Sequence, residues 1–241
     1  MLPHERLIVA LDLPEREAIL TVAQRLRGRV GLVKVGLEAF VAHGPQLVRA
    51  LRDLDLDVFL DLKLHDIPRT ARAAAARAAA LDVRMLTVHA SGGAEMVAEV
   101  CAAVGASVRV LAVTVLTSLG PQQAAAVGLG PDIASTAQSL GQLAVAQGAA
   151  GLVCSRWELE ALASVGGVRV VPGIRSAGAV ADDQRRVATP ATALAAGADF
   201  IVVGRPVLTA AHPEQAADAL VAEIARASET TTAEPKDGAR G

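Results

Sequence analysis

The sequence predicts a single-domain α/β protein with a (β/α)8 TIM-barrel fold. Three observations favour this fold: short apolar runs alternate eight times with helical patterns, the chain has 241 residues, and hydrophobic residues make up 52 % of it. Such alternation is typical of a parallel sheet, and barrels of this class commonly form one domain at this length. A doubly wound open sheet is the alternative, but it needs a glycine-rich fingerprint after the first strand, where the chain reads Ala10-Leu11-Asp12-Leu13-Pro14.

The elements follow in order along the chain. Short runs rich in β-branched or apolar residues are predicted as eight strands: 7–12, 31–36, 58–63, 84–89, 108–114, 151–154, 168–172 and 200–204. Helical patterns between and after them predict eight helices: 15–27, 38–53, 69–81, 94–104, 133–147, 156–163, 190–196 and 206–226. We expect the barrel domain to occupy residues 1–227 and the polar segment 228–241 to be a disordered tail.

Composition argues against several classes of function. The net charge of -2, the aromatic content of 2 % and the absence of Tyr disfavour nucleic-acid binding and attachment to an anionic membrane. Cys101 and Cys154 are isolated, so neither a disulfide framework nor a cysteine metal site is expected. No apolar run is long enough to span a bilayer, and the first residues do not resemble a signal peptide, so we expect a cytoplasmic protein.

Lysine is rare in this chain and occupies special positions. Only three lysines accompany twenty arginines, and Lys34 and Lys63 lie in apolar runs predicted as strands. Lysine can release a proton at accessible pH, whereas the guanidinium of arginine cannot. Lys63 is also flanked by Asp61 and Asp66, an arrangement typical of an acid–base site.

Strand alternation predicts where these charges point. Asp61 and Lys63 share one face of their strand while leucines occupy the other, so we expect both charges to face the barrel interior. Asp12 and Lys34 are placed alike on the first two strands. The four charges should therefore meet at the C-terminal mouth of the barrel, where enzymes of this fold place their chemistry. A purely structural ion network is the alternative, but buried ion pairs contribute little to stability.

A phosphate site is predicted in the loops after strands seven and eight. Barrels often bind phosphate between the loops that follow strands seven and eight, and these loops contain Gly173, Arg175 and the run Gly204-Arg205-Pro206. Gly204 allows close backbone approach, Arg205 offers a planar pair of donors, and Pro206 suits a first helical position. Alternatively, Arg205 is a solvated surface residue and Gly204 an ordinary turn residue.

The motifs together resemble orotidine 5'-monophosphate decarboxylases. The central motif runs from Phe59 to Thr70 and contains Asp61-x-Lys63-x-x-Asp66-Ile67. Other segments agree in order along nearly the whole chain: Val9-Ala10-Leu11-Asp12, Val33-Lys34-Val35-Gly36, Val88-His89-Ala90-Ser91-Gly92-Gly93, Leu116-Thr117-Ser118, Pro172-Gly173-Ile174-Arg175, Asp183-Gln184-x-Arg186 and Val203-Gly204-Arg205. The short core motif occurs in relatives with other chemistry, whereas the complete set is specific.

The resemblance implies a metal-free and cofactor-free lyase that converts orotidine 5'-monophosphate (OMP) into UMP and CO2 in pyrimidine biosynthesis. It implies that Lys63 protonates C6, with Asp61, Lys34 and Asp66 completing the charge network, and that the enzyme is a homodimer. The further residue roles that it implies are ribose contacts for Asp12 and Lys34, pyrimidine contacts for Thr117 and Ser118, phosphate contacts for Arg175, Gln184, Gly204 and Arg205, and entry of Asp66 and Thr70 into the neighbour's site.

Two other functions stay open at this point. One is a Mg-dependent sugar-phosphate decarboxylase or aldolase of the same barrel superfamily, for which Glu38 is the nearest additional metal ligand. The other is a phosphate-binding barrel without catalysis, which the intact lysines and aspartates of the core motif disfavour.

Overall fold

The computed structural model describes residues 1–175 and 188–233, with the backbone alone for 230–233. Eight parallel strands close into a barrel in the order β1 to β8, which confirms the predicted fold. The strands are β1 Leu7–Ala10, β2 Leu32–Gly36, β3 Val58–Leu64, β4 Met85–His89, β5 Arg109–Val113, β6 Gly151–Val153, β7 Val168–Val171 and β8 Phe200–Val203.

The helices surround this barrel in the order expected for the fold. They are α1 Arg16–Leu26, α2 Leu37–Asp53, α3 Pro68–Ala79, α4 Ala94–Val104, α5 Pro121–Ala126, α6 Ile133–Ala146, α7 Pro190–Ala195, α8 Arg205–Leu208 and α9 Pro213–Ala233. Helix α2 is interrupted at Gly44, whose φ is 62°, because the following Pro45 cannot donate a backbone hydrogen bond.

Several boundaries differ from those predicted. The predicted helix 156–163 is a short 3-10 turn, Arg156–Glu158, and α5 was not predicted. The predicted helix 206–226 is divided into α8 and α9, because Pro213 starts a new helix. Helix α9 continues to Ala233 and so includes the first part of the predicted tail, while residues 234–241 lie outside the described residues.

Alternation along the strands creates two apolar layers. One layer fills the barrel and is formed by Ile8, Ala10, Leu32, Phe59, Met85, Leu111, Val113, Val153, Val170, Phe200 and Val202. The larger layer lies between strands and helices and includes Leu7, Val9, Val33, Val35 and Leu60. Successive side chains point to opposite faces of the sheet. The residue two positions beyond the last inner-layer residue of a strand therefore also points inward, at the C-terminal mouth of the barrel.

Among the described residues, no helix is long and apolar enough to cross a membrane.

Candidate active site

Four charged side chains continue the inner layer at the C-terminal ends of β1, β2 and β3. Asp12 follows Ala10, Lys34 follows Leu32, and Asp61 and Lys63 follow Phe59, each in steps of two residues. On β3, Leu62 and Leu64 pack against the outer layer, as alternation requires. The structure thus brings together the four charges that the sequence predicted at one mouth.

These charges alternate in sign across the mouth. Lys63 Nζ lies 2.9 Å from both carboxylate oxygens of Asp61. Lys34 Nζ lies 3.7 Å from Asp61 Oδ2 and 3.2 Å from Asp12 Oδ1. The Asp61 and Lys34 side chains are 13 % and 12 % exposed, so these charges depend on one another for compensation. Asp61 is therefore the shared counter-ion of two ammonium groups.

Gly36, at the end of β2, makes room for this network. A Cβ atom at this position would lie 2.9 Å from Lys34 Nζ and 3.2 Å from Asp12 Oδ1. Any side chain here would push the lysine away from its partner. Gly36 belongs to one of the motifs found in the sequence. The sequence does not show why glycine is needed there, because the reason depends on the position of the Lys34 side chain.

Strand β3 is irregular where it carries Asp61 and Lys63. Its pairing with β4 breaks between Leu60 and Leu64. Lys63 lies within this interval and has a φ of 51°, a left-handed conformation that is costly for a residue other than glycine. Its backbone N–H donates to Thr87 Oγ1 at 2.8 Å. Strain at this lysine is consistent with a functional position.

Thr87, on β4, is a residue of the cluster that the sequence analysis missed. It is fully buried, and its hydroxyl donates to Asp61 Oδ1 at 2.9 Å. The available signal was its position, since Met85 points inward and Thr87 lies two residues further along the same strand.

Two histidines lie beside the lysine. The rings of His65 and His89 are 5.2 Å apart between centroids. Burial lowers the pKa of His89, and the nearby His65 and Lys63 lower it further. His89 is therefore neutral near pH 7 and adds no charge to the mouth.

The opposite rim of the mouth carries the predicted phosphate-binding segments. Gly173 and Arg175 follow β7, and Gly204 and Arg205 follow β8. Arg175 is buried at 8 % exposure. Among the residues that the structure describes, a Cβ at Gly204 would meet Ala10 alone, at 3.7 Å or beyond.

A cavity of about 290 Å³ connects the two rims. Its floor is apolar and includes Phe59, Val113, Val153, Val170 and Val202 from the inner layer. Many of the predicted site residues line it: Asp12, Lys34, Asp61, Lys63, Thr117, Arg175, Gly204 and Arg205. This volume and polarity suit a small ligand with one charged end.

Other predicted residues lie apart from the cavity within one chain. Of the described residues, those that line it do not include Asp66, Thr70 or Ser118, and all three are exposed. The Asp66 carboxylate instead accepts a hydrogen bond from the N–H of Ile67 at 2.7 Å. The prediction for Gln184 lies outside the described residues.

The site was also expected to lack a metal. In residues 1–175 and 188–233, no group of three or more His, Cys, Asp or Glu side chains is arranged to hold a metal ion. Glu38 is exposed on α2 and does not line the cavity.

The fold and the site together define a barrel enzyme in which a lysine–carboxylate cluster faces an arginine-lined rim across a small cavity. Comparison with known proteins gives the family. The sequence profile of the orotidine 5'-phosphate decarboxylase / HUMPS family matches residues 5–220. The chain belongs to this family, which confirms the resemblance seen in the sequence.

Individual relatives agree over nearly their full lengths. A protein from Anaeromyxobacter sp. (strain K) named orotidine 5'-phosphate decarboxylase is 53 % identical over 93 % of this chain and 100 % of the relative. One of the same name from Pseudomonas syringae pv. tomato is 46 % identical over 90 % and 97 %. The crystal structure of orotidine 5'-phosphate decarboxylase from Lactobacillus acidophilus superposes with a TM-score of 0.78 at 33 % identity, covering 90 % of this chain and 98 % of that one.

Proposed function

We propose that this enzyme decarboxylates OMP to UMP and CO2, without a metal or cofactor, and that Lys63 donates the proton to C6 of the pyrimidine. The observation that carries the proposal is the position of Lys63. Its ammonium group is held 2.9 Å from Asp61 at the wall of a cavity with an apolar floor. Relatives named orotidine 5'-phosphate decarboxylase, one of them 53 % identical to this chain, support the reaction.

At C6, one bond breaks and one bond forms. The bond between C6 and the carboxylate carbon breaks, CO2 leaves, and the electron pair stays on C6. Lys63 then gives a proton to C6, and the neutral amine recovers a proton from solvent. A fixed ammonium is most effective where negative charge develops and water is excluded. Asp61 and Lys34 hold this ammonium in place, since Asp61 contacts both lysines.

The remaining groups bind the rest of the nucleotide. We assign the phosphate to Gly204, Arg205, Arg175 and Gln184, the ribose hydroxyls to Asp12 and Lys34, and the pyrimidine to Thr117 and Ser118. The separation of the arginine rim from the lysine cluster across the cavity supports a ligand with its phosphate remote from the reacting carbon. Binding energy from a remote phosphate can be used to stabilise the transition state.

We further propose a homodimer in which Asp66 and Thr70 enter the partner's site. Within one chain both residues are exposed and lie outside the cavity. Ile67, between them, is 65 % exposed within one chain, and such an interface would cover it. The cytoplasmic location stays a prediction.

Activity is tested by following the loss of orotate-ring absorbance with and without EDTA. We expect wild-type turnover of OMP to survive EDTA. Loss of this turnover with EDTA and its return with Mg²⁺ would refute the metal-free mechanism, and a folded enzyme without any turnover of OMP would favour the sugar-phosphate alternative. Lys63→Ala should abolish turnover and leave UMP binding measurable. Lys63→Arg is the matched control, because it keeps the positive charge but cannot release a proton, and it should also be inactive. Turnover near the wild-type rate in either variant would refute the role of Lys63.

The crossing of Asp66 is tested by mixing two inactive variants, Lys63→Ala and Asp66→Ala, under conditions that exchange subunits. If Asp66 serves the neighbour's site, each mixed dimer holds one intact site and one doubly impaired site. About a quarter of wild-type activity should then return, because about half of the randomly paired dimers are mixed. If Asp66 serves its own chain, mixing restores nothing.

A further inference from the structure

Thr87 contacts both members of the ion pair at the centre of the site. It lies in the middle of β4 with no exposed surface. Its Oγ1 atom is 2.8 Å from the backbone nitrogen of Lys63 and 2.9 Å from Asp61 Oδ1. One buried hydroxyl thus joins the main chain of the lysine to the carboxylate that holds its ammonium group.

The direction of these two hydrogen bonds is determined by chemistry. A backbone N–H can only donate, so the Thr87 oxygen accepts from Lys63. The single hydroxyl hydrogen is then available for Asp61, whose carboxylate can only accept when ionised. Neither bond can reverse, so the arrangement around Thr87 has one orientation.

The irregularity of β3 explains why this hydroxyl is needed. Leu60 pairs with Leu86, and Leu64 pairs with Val88. The three β3 residues from Asp61 to Lys63 therefore lie opposite a single β4 residue, Thr87. The Lys63 N–H bonds to the threonine side chain, and the lysine adopts a φ of 51°. A left-handed conformation is unfavourable for a residue with a Cβ. Such a conformation persists only when its surroundings hold it, and Thr87 supplies one of the contacts that do so.

We propose that Thr87 is a positioning residue that sets the placement of the Lys63 ammonium by holding the Lys63 peptide and the Asp61 carboxylate together. Thr87 does not line the cavity and so acts through its two neighbours. The inference rests on the proposed function, because it concerns the delivery of a proton by Lys63. It extends that function with a residue outside the charged motif.

The test separates the hydroxyl from the shape of the side chain. Thr87→Val removes the hydroxyl at nearly constant volume, and Thr87→Ser keeps the hydroxyl but removes the methyl group. Displacements of about 1 Å in a reacting group can cost on the order of 100-fold in rate. We expect Thr87→Val to lower kcat about 10- to 100-fold, with KM and UMP affinity within about threefold of wild type. Thr87→Ser should stay within about threefold in kcat.

Thr114→Val provides the matched control. Thr114 is also buried at a strand end, after β5, but its hydroxyl donates to the Val153 carbonyl at 3.5 Å and does not contact the charges. A purely structural role for Thr87 would lower the melting temperatures of both valine variants and leave kcat of the folded enzymes unchanged. That result, or a Thr87→Ser variant as slow as Thr87→Val, would overturn the inference.

The test also has a substitute variant and separates failure of this inference from failure of the proposed function. If Thr87→Val does not fold, Thr87→Ala makes the same comparison with Thr87→Ser, because it also lacks the hydroxyl. An active wild-type enzyme with unchanged kcat in the variants would contradict only the role of Thr87. A folded wild-type enzyme that does not decarboxylate OMP would refute the proposed function and this inference with it.

Discussion

The ion pair between Asp61 and Lys63 should couple strongly in a double-mutant cycle. Removing Lys63 leaves Asp61 with Lys34 at 3.7 Å and with the Thr87 hydroxyl. Removing Asp61 leaves the ammonium groups of Lys34 and Lys63 without the counter-ion that they share. We therefore expect Asp61→Ala to destabilise the protein more than Lys63→Ala does, and the double variant to be less destabilised than the sum of the two.

The size of the coupling follows from distance and exposure. At the observed 2.9 Å, two unit charges attract by about 6 kcal/mol at an effective dielectric constant of roughly 20, and by about 1.4 kcal/mol in bulk water. The Asp61 and Lys63 side chains are 13 % and 29 % exposed, so both keep part of their hydration. Desolvation and lost side-chain freedom oppose the attraction, and we expect a net coupling of about 2 to 3 kcal/mol.

The assay is urea unfolding followed by far-UV circular dichroism, at one protein concentration for all variants. The control is the cycle for Arg72 and Glu99, whose charges are 2.8 Å apart but whose side chains are 60 % and 37 % exposed. Exposed pairs of this kind contribute roughly 0.2 to 1 kcal/mol, and added salt weakens them. A coupling below about 0.5 kcal/mol for Asp61 and Lys63 would refute the view that they form a desolvated pair.

Three other predictions concern different parts of the site. Arg205→Ala should weaken UMP binding about 100-fold in calorimetry while uridine binding changes by less than about threefold, since charge-assisted hydrogen bonds contribute about 1.5–3 kcal/mol each. Arg109→Ala, at the opposite end of the barrel, is the control, and equal losses for UMP and uridine would argue against a phosphate site. Lys63→Gly should be about 1 kcal/mol more stable than Lys63→Ala, because only glycine adopts the observed φ of 51° without penalty; equal stabilities would contradict that backbone conformation. The lowered pKa of His89 means that the unfolded chain binds a proton first as the pH falls below about 6.5, so stability is lost on acidification. In His89→Gln the free energy of unfolding should fall less between pH 7 and pH 5 than it does in the wild type. An equal fall in both proteins would show that His89 does not cause the loss of stability.

The strand pattern was predictable because it is local. Side chains alternate along each strand whatever its neighbours, so the inward direction of Asp61 and Lys63 could be inferred from the leucines beside them. Parallel strands end at the same side of a barrel, which brought Asp12 and Lys34 to the same mouth. These two rules account for the predicted charge network.

The break in β3 could not be read in the same way. Strand register is a property of pairs, and nothing in the run 58–64 alone shows that Leu64 pairs with Val88. The role of Thr87 and the left-handed backbone of Lys63 both depend on this register. The sequence also predicted one helix where α8 and α9 are separate, because propensity over a long window obscured the break before Pro213.

By itself the sequence determined the barrel, the family and the inward set of charges, because periodicity and motif order are carried by neighbouring residues. The tertiary structure alone decided which atoms meet: the shared contact of two lysines with Asp61, the space kept open by Gly36, and the hydrogen bond between the Lys63 backbone and the Thr87 hydroxyl. Asp66 is a further example. Its motif predicts that it belongs to the charge network, whereas within a single chain its carboxylate accepts a hydrogen bond from the Ile67 backbone. Contacts between strands depend on register and side-chain direction in three dimensions, and these arise only when the barrel closes.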